Sequence, residues 1–162
     1  MIPLLTPRLR LRPLTLDDLR ALHALVGDDE TMRFITGVGN TPLQTRARLA
    51  LDVRLHAEFG FGLCLAEWRE TGEVVGRAGI VPHPTATGVE GELAWLVARG
   101  WRGRGLATEA GAALIEFARR ELELNRLYAE AHPDNAGSIR VMEKLGMVPV
   151  GPRGRDAVYE FR

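Results

Sequence analysis

At 162 residues the chain can bury one full-sized core and is too short for two comfortable domains, so a single domain over residues 1–162 is expected. Hydrophobic residues at 46% and charged residues at 26% are ordinary globular values, which excludes a chain disordered by composition. Lys+Arg and Asp+Glu balance at 21 each, without a terminal block of like charge; no polyanion-binding surface is indicated, and nucleic acid is not an expected partner.

Cys64 is the only cysteine, which rules out an internal disulfide and any Cys-pair metal site. His23, His56, His83 and His132 lack short ligand spacing, so no metal is expected. The first residues lack a basic region followed by an apolar run, and no stretch approaches the length of a membrane span. A soluble, cytoplasmic protein with no membrane partner is expected.

In chain order, Leu9, Leu11 and Leu14 alternate with Arg8, Arg10 and Arg12, the period of a strand with one buried face. Thr15 can cap a helix with Asp17 and Asp18 in its first turn and Leu19, Leu22, Leu25 and Val26 on its apolar stripe. A short helix is predicted over 28–34. Glycines at 37 and 39 break it, and a third helix runs from Pro42 to about Phe59, ended by Gly60 and Gly62. Residues 61–68 and 74–81 form a hairpin, 82–88 a Pro/Thr/Gly loop, and 89–97 a fourth strand. A long helix is expected over 106–122, a strand over 127–131, and a short helix over 136–145 closed by Gly146. Strands 147–150 and 157–161 pair across a loop at 151–156.

The strand–helix–strand crossover between 89 and 131 makes those two strands parallel, whereas the short connections elsewhere imply antiparallel pairing. The fold class is α+β: a mixed, mostly antiparallel sheet of about seven strands flanked by helices.

Residues 101–108, Trp-Arg-Gly-Arg-Gly-Leu-Ala-Thr, turn the fourth strand into the long helix. Gly103 and Gly105 let backbone approach a ligand, and the free N–H groups of a helix start favour an anion. A nucleotide P-loop needs a lysine that is missing, and a dinucleotide fingerprint needs glycine where Thr108 stands. The pattern Arg102-x-x-Gly105-x-Ala107 resembles the (Gln/Arg)-x-x-Gly-x-(Gly/Ala) signature of the GNAT superfamily of acyl-CoA-dependent N-acetyltransferases. Asn135 to Met147 resembles that family's second signature, one helix and one strand further on. Residues 6–14 resemble the opening strand of its Rim-type branch, whose members acetylate ribosomal-protein N-termini.

The resemblance implies acetyl-CoA as co-substrate. Its pyrophosphate would lie on Arg102, Gly103, Arg104, Gly105, Ala107 and Thr108. Its pantetheine arm would enter a gap between two splayed parallel strands, bonded by the backbone of Leu96 and Val97 and approached by Asn135. Paired strands that part leave N–H and C=O groups in need of partners, which an amide-bearing arm supplies. Asn135 is equally a helix N-cap.

Acetyl transfer needs a neutral amine, and an α-amine titrates near about 8 and a lysine far higher, so a base or water relay must collect a proton. The Rim-type resemblance points to Glu92, with Glu90 two residues earlier on the same strand face. The tyrosine with which many GNAT enzymes protonate the departing thiolate is replaced by Met142, which makes Ser138 the candidate acid, with solvent as the alternative. The Val97 N–H would stabilise the thioester oxygen. The acceptor is a primary amine, on a protein N-terminus or a small molecule, reached through a channel around 33–42 and 151–156. A CoA-binding regulatory module without turnover is the rival reading, and a homodimer is left open.

Overall fold

The computed structural model describes residues 3–162. Eight strands form one sheet: β1 (Leu4–Leu5), β2 (Leu9–Pro13), β3 (Leu63–Trp68), β4 (Val74–Thr85), β5 (Gly88–Val97), β6 (Arg126–Ala131), β7 (Val148–Arg153) and β8 (Asp156–Phe161). Their spatial order is β1-β2-β3-β4-β5-β6-β8-β7, and only β5 and β6 run parallel. The helices are α1 (Leu19–Val26), α2 (Asp29–Met32), α3 (Pro42–Phe59), α4 (Leu106–Glu121) and α5 (Ala136–Lys144). Among the described residues no helix is long and apolar enough to cross a membrane.

The sheet has a core on each face. On one side Leu9, Leu11, Ala78, Ile80 and Leu93 pack against Leu106, Ala110, Leu114 and Ala118 of α4. On the other, Leu63, Leu65 and Leu96 meet Leu22, Leu25 and Val26 of α1 and Leu49 of α3. Alternation along β5 therefore sends Leu93 to the α4 side and Ala94 and Leu96 to the α1–α3 side. Helix α3 starts where Pro42 and the Thr41–Gln44 capping box direct it and stops at Gly60, whose φ of 76° is left-handed.

Three boundaries depart from the sequence reading. Strand β1 adds an eighth member to the expected seven, because two residues are too few to display an alternation. Strand β4 continues through Pro82 and Pro84, where a loop was expected, and closes on β5 by the pair Thr85↔Gly88. The reason lies in its neighbour: β3 ends at Leu63 opposite Gly79, so the outer edge of β4 is unpaired from Ile80 onward and prolines there cost no ladder bond. The terminal hairpin is also longer than expected. Its turn is Gly154-Arg155, with Gly154 at φ 59°, and the all-exposed β7 offers no burial pattern by which sequence could reveal it.

Candidate active site

Strands β5 and β6 pair over Glu90↔Arg126, Gly91↔Leu127 and Glu92↔Tyr128, and then part. From there β5 continues against β4 to Val97, while β6 continues against β8. The N–H of Ala98 donates to the Val75 carbonyl (2.8 Å), and antiparallel ladders alternate, so Leu96 directs its backbone groups at Arg77 of β4. Trp95 and Val97 turn theirs into the gap, as Val89 does lower down by accepting from the Asn125 N–H at 2.9 Å. The alternation thus commits Leu96 to the sheet, leaving its side chain on the wall, and leaves Val97 as the expected strand residue whose N–H faces the opening. The Val97 carbonyl accepts from Arg102 Nε at 3.1 Å. The gap opens into a cleft of about 960 Å³, large for a small-molecule site.

One wall of this cleft is the turn before α4. A single 3-10 turn, Arg99–Trp101, uses the N–H groups of Trp101 and Arg102 on the carbonyls of Ala98 and Arg99. Gly103 and Gly105 then adopt φ 75° and 77°, which lifts the chain over the helix start. Among the described residues, the N–H groups from Gly103 to Thr108 have no acceptor, and at a helix N-terminus they form a cradle suited to an anion. The arginines of the loop serve the protein itself. Arg102 bonds Thr31 Oγ1 (2.9 Å) and pairs with Glu30, and Arg104 bonds the Gly100 carbonyl while its guanidinium covers the Trp101 ring.

Behind the cradle stands a brace. Glu109 accepts from Thr6 Oγ1 (2.6 Å), the Arg8 N–H (2.9 Å) and Arg8 Nε (2.7 Å), and Arg8 Nη1 donates to the Arg104 carbonyl. Burial pushes the Glu109 acid up, but these hydrogen bonds together outweigh it and hold the carboxyl below the ordinary glutamate range.

Across the gap Asn135 caps α5, its Oδ1 accepting the Ser138 N–H at 3.1 Å. The Ser138 hydroxyl oxygen accepts from Trp95 Nε1 at 3.3 Å, which links the two sides of the opening. Both residues line the cleft, whereas Met142 is fully buried beneath them.

On the α1–α3 side of the sheet, Glu92 lines the cleft and its Oε2 lies 2.9 Å from His83 Nε2. Glu90 is drawn to Arg126 (3.7 Å), itself held by Glu160 (2.9 Å), and does not line the cleft. Sequence reading missed His83 by assigning it to a loop; a hairpin register centred on residues 86–87 would have set it opposite Glu90, beside Glu92. Tyr128 is buried between the guanidiniums of Arg126 and Arg153, and Arg153 also pairs with Glu130, whose acid burial pushes up. The two segments expected to shape the acceptor channel meet here. Arg155 Nη2 donates to the Ile35 carbonyl at 3.3 Å, and Phe34 stacks on His132. Among the described residues no group of three or more His, Cys, Asp or Glu is arranged to hold a metal ion.

Residues 8–148 match the acetyltransferase (GNAT) domain family. YkkB of Bacillus subtilis strain 168, described as uncharacterized, is 34% identical over 145 residues, spanning 89% of this chain and 84% of YkkB. The crystal structure of an acetyltransferase from Agrobacterium tumefaciens strain C58 superposes with a TM-score of 0.85 at 33% identity, covering 100% of this chain and 95% of that one. RimL, a ribosomal-protein α-N acetyltransferase in complex with coenzyme A, shares the fold at a TM-score of 0.81 and 17% identity, covering 96% of this chain and 94% of RimL. With the family matched over most of its length and a splayed parallel pair beside an amide cradle, the chain belongs to the GNAT family and is an acetyl-CoA-dependent N-acetyltransferase.

Proposed function

We propose that residues 1–162 act as one domain that moves acetyl from acetyl-CoA to a primary amine by direct attack in a ternary complex. The observation that carries this reading is the gap itself: Val97, Ser138 and Glu92 line one cleft that the free amides of Gly103 to Thr108 also border. Those amides, with Ala107 and Thr108 at the helix start, receive the pyrophosphate, and Trp95 and Val97 offer backbone to the pantetheine arm. Asn135 orients α5 beneath it.

In the reaction the amine nitrogen bonds the acetyl carbon, the C–S bond breaks, and the thiolate leaves. The Val97 N–H donates to the thioester oxygen as charge builds there. Glu92 takes the proton lost by the amine, directly or through one water, with His83 Nε2–H donating to the same carboxylate and steadying its orientation. Ser138 already accepts from Trp95, which leaves its own hydroxyl proton free for the departing sulfur while a solvent proton restores the serine hydroxyl. A protein N-terminal α-amine, as RimL's description implies for that protein, is the acceptor class we favour; a small-molecule amine is the alternative.

Glu92→Gln tests the mechanism. Turnover should fall by roughly 10²–10⁴, the range of general-base catalysis, with the pH optimum moved upward and coenzyme A affinity by calorimetry unchanged. An unaltered pH–rate profile would remove Glu92 from the role.

A further inference from the structure

Arg77, a cation on the floor of the cleft, has no task in the transfer reaction. Arg77 sits mid-sheet in β4, opposite Leu96 of β5 and Leu65 of β3, and lines the floor of the cleft with Leu63, Val81 and Leu96. Among the described residues its guanidinium has no hydrogen bond, ion pair or ring contact. Partial desolvation by its neighbours pulls its ordinary value down to about 10, with Arg48 adding to the effect and Asp52 opposing it. Asp52 belongs to Arg48: its Oδ1 lies 2.9 Å from Arg48 Nε, without the alignment of a hydrogen bond, and its Oδ2 has no donor. Two guanidiniums therefore face one carboxylate, and the charge left over is positive.

Arg77 is half-buried, and its guanidinium opens onto the cleft where a ligand can reach it. An unpaired guanidinium on the floor of a substrate cleft calls for a ligand that brings the partner. The single excess charge matches a monoanion, and the planar fork of donors matches a carboxylate. Position narrows the choice. In the register, Glu92 is opposite Val81, four residues along β4 from Arg77, so the two α-carbons lie about 13 Å apart along the strands. Both side chains line the same cleft and take up part of that distance, which leaves a span of a few bonds between an amine at Glu92 and an anion at Arg77.

We propose that Arg77, with Arg48 beside it, anchors a carboxylate of the acceptor, so that the amine acetylated at Glu92 carries an acid group a few bonds away. This rests on the transfer reading above and names its substrate class. The chemistry is offered by a free amino acid and by a peptide whose first residue is Asp or Glu, and the two are separated by assay.

The experiment measures acetyl-CoA-dependent thiol release with matched amines: β-alanine and 4-aminobutyrate against their carboxamides, and an Asp-initiated peptide against its Asn counterpart. Wild type should favour the acid over its amide by at least about tenfold in kcat/KM in one of the two series, which identifies the source. Arg77→Met should raise KM for the preferred acid about tenfold and leave KM for acetyl-CoA and rates with the amides unchanged. Equal rates for acid and amide, or an equal loss for both in Arg77→Met, would overturn the anchor. If no amine in the panel releases thiol, the transfer reading fails instead. In that case the acids must still raise the Tm of the CoA-bound wild type and not of Arg77→Met, or the anchor fails too.

Discussion

At the end of the cleft that we assign to the coenzyme, the groups offered to a ligand are main-chain amides, those of Gly103 to Thr108 and Val97, and the nearby arginines are turned away to brace the loop. At the end that we assign to the acceptor, the offered groups are side chains, Glu92, His83, Glu130 and Arg77, drawn from three strands. The two constructions answer different demands. A cradle of amides depends on backbone shape and is indifferent to which amine arrives, whereas a wall of charged side chains can be recast for each acceptor with the sheet intact. Substitutions at the first end should therefore depress every acceptor alike, and substitutions at the second should discriminate.

The sharpest blow to the coenzyme end is expected from Gly105→Ala. A Cβ there would meet only Arg8 Nη2, at 3.8 Å, so space is available and the cost is conformational: φ 77° is left-handed, a penalty of about 1–2 kcal/mol for an alanine. If the loop answers by leaving that conformation, its amides lose their convergence, and coenzyme A affinity should drop about tenfold by calorimetry. Gly105→Asn, better tolerated in this region, should recover part of it. An acceptor-dependent loss would break the division between the two ends.

Glu109 gives a smaller effect with a pH signature. Its folded-state acid is held below the ordinary glutamate range, so the stability it contributes is present above about pH 4.3 and is lost as pH falls through the lower folded value. Glu109→Gln should lower the neutral-pH Tm by about 2–4 °C, corresponding to about 1 kcal/mol for a partly exposed pair, and the gap from wild type should close in acid. Coenzyme affinity should weaken only a few-fold, because Arg8 would still reach the Arg104 carbonyl. A Tm difference that persists at low pH would assign Glu109 a packing role.

The same division governs how much could be read from sequence. The cradle was legible because its causes are local: glycines at 103 and 105, an apolar strand before them and a helix after. The helices and most strands were legible for the same reason, through capping residues and alternation. Of the side chains we assign to the acceptor end, sequence reading named only Glu92. His83 reaches it through a hairpin register hidden by two prolines, and Arg77 meets Arg48 only because α3 packs across β4, a relation that no periodicity within either segment contains. Leu96 shows the limit from the other side, since which backbone groups face the gap depends on ladder parity, fixed here by the Ala98–Val75 bond.

Ser138→Ala should have the smallest effect and locates the border between the two ends. A thiol titrating near about 8.5 makes a fair leaving group, so loss of the hydroxyl should slow turnover about threefold near neutral pH and hardly at all above pH 9, where the departing thiolate needs no proton. Because sulfur belongs to the coenzyme, the loss should be the same for every amine. If it varied with the acceptor, the Ser138–Trp95 link would be shaping the acceptor wall, and the side-chain-built region would extend across the gap to α5.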